Sequence, residues 1–173
     1  MSVAQSVRPE TLAHNPASKW LNLRNFSLLL VFLGLLVSGY LSYVKITNVP
    51  MVCPSGEGST FNCDVVQNSI YAYMPPRSGI AIAWLGFGTY LVIGALLLLQ
   101  KRITFFQEWG VPITFGVVTF AFLFSVYLVY VQAVLLRAFC MWCLIHEVIM
   151  TILFVVTVIR LILFLNKPHV AEA

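Results

Sequence analysis

A chain of 173 residues that is 60% hydrophobic and only 9% charged is too apolar for an ordinary soluble domain, and its length permits one domain. Its net charge of +4 is spread thinly, with no basic patch interleaved with aromatics, so it does not point to a nucleic-acid partner. Four apolar runs, at 26–46, 80–99, 111–136 and 144–165, each reach the roughly 20 residues that a helix needs to cross a hydrocarbon core of about 30 Å. The predicted fold is an all-α integral membrane protein. Its four transmembrane helices form a bundle over residues 26–165, with an outer cysteine loop at 47–79, a leader at 1–25 and a tail at 166–173.

The leader is polar and interrupted at Asn15-Pro16, and the first run behind it is too long to be a cleavable signal. In that run Gly34, Ser38 and Ser42 recur every fourth residue, which predicts a face for close helix packing, with Lys45 snorkelling at its end. Cys53 and Cys63 flank a stretch containing glycine, serine and proline, so the loop is expected to be flexible. Beyond Asp64, the residues Val65, Val66, Ser69, Ile70 and Tyr73 fall at helical spacing. They predict a short amphipathic helix at the membrane surface, ended by Pro75-Pro76. The second helix holds Trp84, Gly86, Phe87 and Tyr90 in its outer half. The third carries Ser125, Tyr127, Tyr130 and Gln132 toward its outer end.

Cys140-Met141-Trp142-Cys143 opens the fourth run, so its thiols occupy a helix start, where unpaired N–H groups and the helix dipole favour thiolate. His146 and Glu147 share the face of Cys143 about one turn deeper, and ionisable groups inside a span are functional candidates. Three readings compete. The cysteines can brace an inert membrane scaffold. They can bind zinc, but zinc knuckles pair two C-x-x-C units and this chain has one, so no metal is expected. Or they form a relay: the loop pair takes electrons from a reduced partner and exchanges with the helix pair, which reduces a lipid-soluble quinone. In the relay Trp84, Phe87 and Trp142 enclose the flat ring, and His146 and Glu147 deliver protons or hydrogen-bond a carbonyl.

The basic residues give an orientation. Arg8, Lys19, Arg24, Lys101, Arg102, Arg160 and Lys167 lie toward one side, and only Lys45, Arg77 and Arg137 toward the other. Seven against three predicts both termini in the cytoplasm and all four cysteines outside, where disulfides persist.

Taken in order, Cys53 and Cys63 in the first loop, Ser69 six residues after the second of them, and the C-x-x-C opening the last helix resemble the vitamin K epoxide reductase family over about residues 25–165. The likeness is to its bacterial branch, in the form without a fused thioredoxin-like domain. It implies a four-helix bundle around a quinone (ubiquinone or menaquinone), a bacterial inner-membrane location, and a periplasmic thioredoxin-like dithiol partner in trans. It also implies that Cys53 faces the partner and that Cys63 pairs with Cys53 and passes electrons to Cys140. Cys143 would lie next to quinone, and Ser69 near the redox centre. Ile82 and Glu147 stand where vertebrate members have an asparagine and a tyrosine, which disfavours quinone epoxide as substrate. The DsbB-type oxidases, also four-helix proteins, carry their C-x-x-C in the first outer loop and match less well.

Overall fold

The computed structural model describes residues 16–53, 61–75, 79–100, 102 and 104–166. The first part of the expected leader, the centre of the cysteine loop, Pro76, Arg77 and the tail beyond Asn166 lie outside them. Helices α1 (Pro16–Thr47), α2 (Cys63–Asn68), α3 (Ile82–Leu99), α4 (Thr104–Tyr130) and α5 (Met141–Leu165) follow in chain order. All but α2 are long and apolar enough to cross a membrane, so the chain is an integral membrane protein built as a four-helix bundle.

Helices α1, α4 and α5 start before their apolar runs, α5 by three residues at Met141. The expected break at Pro16 is instead the first residue of α1, where a fixed φ suits the helix and the missing N–H has no helical partner to lose. Similarly, α4 begins at Thr104 rather than 111. An apolar run marks the part of a helix that meets hydrocarbon, whereas the helix itself can continue into the headgroups. The opposite error occurs at α3. Ile80–Ala81 pair as a short strand, β2, with Tyr73–Met74, β1, in an antiparallel register of Tyr73 with Ala81. The helix therefore opens two residues later than expected.

The surface helix predicted beyond Asp64 is also shorter. It ends at Asn68, because Ser69 is extended (φ −65°, ψ 157°) and its hydroxyl donates to Val66 O at 2.8 Å. A single 3-10 turn, Ile70–Ala72, then leads into β1, so Pro75 ends the hairpin strand and not a helix.

α1 packs on α3 and α5, and α4 on α5 and α3. The small-residue face of α1 has the expected use: a Cβ at Gly34 would run into the buried Tyr90 ring. Around that contact Leu30, Val31, Ile93, Val118, Met150 and Leu153 form the main core. The buried hydroxyls of Ser38 and Thr157 donate to the carbonyls four residues back, at 2.7 Å each. Hydrocarbon offers such groups no water, so the helix itself must satisfy them. Phe32, Phe120, Leu123 and Val148 remain on the outer surface, where acyl chains cover them. At the end of the bundle away from the cysteines, Arg160 Nη2 donates to Gln100 Oε1 at 2.8 Å. Gln100 Nε2 in turn donates to Gly110 O at 2.9 Å and Thr114 Oγ1 at 3.0 Å.

Candidate redox site

The helix-side cysteines are set by the way α4 ends. The six residues that follow it, Val131–Leu136, widen into a π-helical turn. Arg137 closes it in the left-handed region (φ 48°), its N–H on Gln132 O; Ala138 N–H reaches the same carbonyl at 3.2 Å. The Gln132 side chain is buried, and its Oε1 accepts the backbone N–H of Cys140 at 3.0 Å. Cys140 is thus held at the N-cap of α5 by a side chain from the preceding helix.

The adjacent residue receives the loop. Phe61 and Phe139 form a parallel β-bridge, and Asn62 N–H donates to Phe139 O at 3.0 Å. Asn62 also caps α2, its Oδ1 accepting from Val65 N–H at 3.1 Å, which makes Cys63 the first helical residue. Backbone hydrogen bonding therefore stitches the segment before Cys63 to the segment before Cys140. Both cysteines fall in one buried cluster with Leu41 and Met51, and Cys53, Trp142 and Cys143 pack against it.

The Cys53 side of the loop has its own anchor. Trp142 Nε1 donates to Val52 O at 2.8 Å, and its ring lies 4.7 Å from that of Tyr40. Lys45, expected to snorkel, instead donates to Gln67 O at 2.6 Å and sits 4.6 Å from the Tyr73 ring centroid, tying α2 and the hairpin to α1.

Cys53 and Cys63 are joined by a disulfide, while Cys140 and Cys143 are free thiols. A hydrogen bond from Cys143 lowers the Cys140 thiol to about 7. Burial opposes this, and the N–H groups of Cys143 and Trp142 at the helix start reinforce it. Cys140 therefore carries substantial thiolate at neutral pH.

Cys143 borders a cavity of about 410 Å³. The lining residues follow helical spacing: Ile82, Leu85, Gly86 and Thr89 from α3, Ala121, Phe124, Ser125 and Leu128 from α4, and Cys143, His146, Glu147 and Met150 from α5. Val66 and Ser69 close one side. The Glu147 carboxylate accepts a hydrogen bond from the buried Ser125 hydroxyl, and the His146 ring meets Tyr90 edge-on at 5.4 Å.

Of the residues singled out in the sequence, Ser69, Cys143, His146 and Glu147 come together at this cavity. Trp84, Phe87 and Trp142 do not line it. Trp84 and Phe87 are out of phase with the 82-85-86-89 stripe; Trp84 is exposed, and Phe87 approaches Gly39. Trp142, one residue before Cys143, is turned toward the loop. Gln132, Ser125 and Asn62 escaped notice as site residues. Polar character inside an apolar run was the available signal for the first two, and it gives no direction. Among the described residues, no three His, Cys, Asp or Glu side chains gather as a metal site would require.

A disulfide and a dithiol, hydrogen-bonded segment to segment at one end of a transmembrane bundle, are the groups of a membrane thiol–disulfide oxidoreductase. Residues 26–158 match the model of the vitamin K epoxide reductase family, and the chain belongs to that family. Proteins of this family use quinones and generally work with a thioredoxin-like partner.

Proposed function

We propose that this protein oxidises a thioredoxin-like dithiol and passes the electrons to a membrane quinone, so that partner dithiol plus quinone gives partner disulfide plus quinol. The observation that carries this reading is the closed loop pair and open helix pair meeting at one cluster, Cys63 and Cys140 buried within it and Cys53 and Cys143 packed against it, with Cys143 at the edge of a 410 Å³ cavity. Redox chemistry of this kind belongs to residues 26–165, with both termini in the cytoplasm and the cysteines facing the periplasm of a bacterial inner membrane.

The arrangement corresponds to the moment after electrons have moved from loop to helix. The partner first reduces Cys53–Cys63. Cys63 thiolate then attacks Sγ of Cys140 in a Cys140–Cys143 disulfide, and Cys143 leaves as thiolate. Cys53 attacks Cys63, closing the loop disulfide, and Cys140 leaves. A thiol near 7 is a good leaving group at neutral pH, which favours this second displacement. Two electrons now reside on the helix dithiol.

The cavity suits a quinone ring: its walls are mainly apolar, and its polar groups are few and convergent. A quinone accepts two electrons and two protons. Cys143 stands nearest as electron donor, and His146 and the Ser125–Glu147 pair are placed to hold protons or bond a carbonyl. Ser69, on the loop side, fixes the end of α2 against that rim. Purified protein given a reduced thioredoxin-like protein and quinone should form quinol and partner disulfide in equal amounts. Partner oxidation with no quinol from folded protein would sink the quinone assignment.

Gln132 acts here as a positioning residue. Replacing it with methionine keeps length and burial but removes the acceptor for Cys140 N–H. Loop–helix exchange should slow about tenfold, the equivalent of one hydrogen bond of ~1.4 kcal/mol. Gln132→Glu, which retains an acceptor of the same reach, should recover most of the rate. Thiolate absorbance of the helix dithiol should still titrate near pH 7 in Gln132→Met, since Gln132 is not among the groups that lower Cys140. If Gln132→Met exchanges as fast as the parent, the hydrogen bond only fills space.

A further inference from the structure

At the end of the bundle away from the cysteines, Arg24 of α1 and Arg102 of the α3–α4 turn face a cavity of about 440 Å³ walled by Leu97, Leu98 and Leu99. Among the described residues, neither guanidinium has a carboxylate partner, and Arg24 Nε is buried with no acceptor. Two guanidinium side chains lining one cavity with no carboxylate beside them call for an anion from outside the chain. The buried Arg160 adds to the positive potential there, close enough for its charge and that of Arg24 to repel.

The walls decide what kind of anion fits. Leu97–Leu99 form the last turn of the span Ile82–Leu99, at the level where hydrocarbon gives way to headgroups, and Leu98 is exposed on the outer surface. A soluble anion gains nothing from these side chains, whereas a lipid places its phosphate at the arginines and its glycerol and upper acyl chain along the leucines. We propose that this cavity binds the phosphodiester of an anionic phospholipid, with Arg24 and Arg102 donating to its oxygens. Planar guanidinium forks suit phosphate, and basic pockets between transmembrane helices take such headgroups. A headgroup with its own ammonium would meet the field of the nearby guanidiniums, so phosphatidylglycerol should be held in preference to phosphatidylcholine. None of this depends on the cysteine relay.

Native mass spectrometry of the purified full chain in detergent, mixed with either lipid, reads retention directly. Phosphatidylglycerol should stay bound, and Arg24→Gln and Arg102→Gln should each weaken it about fivefold, the factor given by ~1 kcal/mol per basic residue at a membrane surface. Phosphatidylcholine retention should not change. Arg102 is exposed, so its substitution leaves packing intact, and the loop disulfide measured in the same sample checks that the bundle is folded. Equal retention of the two lipids, or unchanged phosphatidylglycerol binding in Arg102→Gln, would overturn the assignment. Displacement by inorganic phosphate at matching concentration would also overturn it, by identifying a soluble-anion site.

Discussion

In a Cys53→Ala protein, a disulfide between Cys63 and Cys140 should accumulate and turnover should fall to background. The resolving thiol is gone, so the mixed disulfide formed when Cys63 attacks Cys140 has no neighbour to release it. The geometry favours this particular link, because Asn62 N–H is already bonded to Phe139 O and both cysteines are buried in the same cluster. Adding Cys140→Ser should abolish the cross-link. Cys143→Ser should stop turnover while leaving both bonded sulfurs in place. Peptide mapping after acid quenching, without reductant, decides the matter. A dominant Cys63–Cys143 link would reverse the roles of the helix cysteines, and no loop–helix link at all would remove the relay.

The second large effect is expected at Glu147. Glutamine in its place keeps a hydrogen-bond acceptor for Ser125 but cannot give up a proton. If the carboxyl supplies a proton during quinone reduction, single-turnover oxidation of the helix dithiol by quinone should slow by about 10²–10⁴-fold, the range for loss of a general acid or base. Loop–helix exchange does not use the Glu147 carboxyl and should proceed at the parental rate. Stopped-flow quinone absorbance follows the first step, and thiol trapping the second. Ser125→Ala, which leaves the carboxylate present but less firmly oriented, should show a smaller loss. Unchanged quinone reduction in Glu147→Gln would move proton delivery to His146 or to solvent.

The bundle and the grouping of the cysteines were legible because they rest on local properties of the chain. An apolar run must span, and a C-x-x-C at its start must lie at a helix N-terminus. The small-residue spacing of Gly34 and Ser38 also carried through, since it depends only on helical period. Aromatic contacts at the cavity did not. Trp84, Phe87 and Trp142 lie near the right depth, but depth says nothing about azimuth, and facing is fixed by packing against other helices. His146 and Glu147 do line the cavity, as their phase measured from Cys143 on the same helix predicts. The bond from Gln132 to Cys140 was hidden for a different reason: it needs the π-helical turn, which changes the phase of α4 after the last residue from which an α-helical count would start. The hairpin of Tyr73–Met74 with Ile80–Ala81 arises from pairing across a short connection, which a count along one helix cannot reveal.

The widened turn at Val131–Leu136 also makes the length of the chain before the C-x-x-C a structural parameter in its own right. One residue contributes about 100° of rotation in an α-helix. An insertion or deletion between Tyr130 and Cys140 would thus alter azimuth as well as distance, swinging the amide anchor away from the thiol-bearing backbone while hydropathy stayed almost unchanged. Grafting this segment onto another bundle would accordingly require the spacing from Gln132 to Cys140 to be transferred intact, together with the left-handed Arg137 that closes the turn.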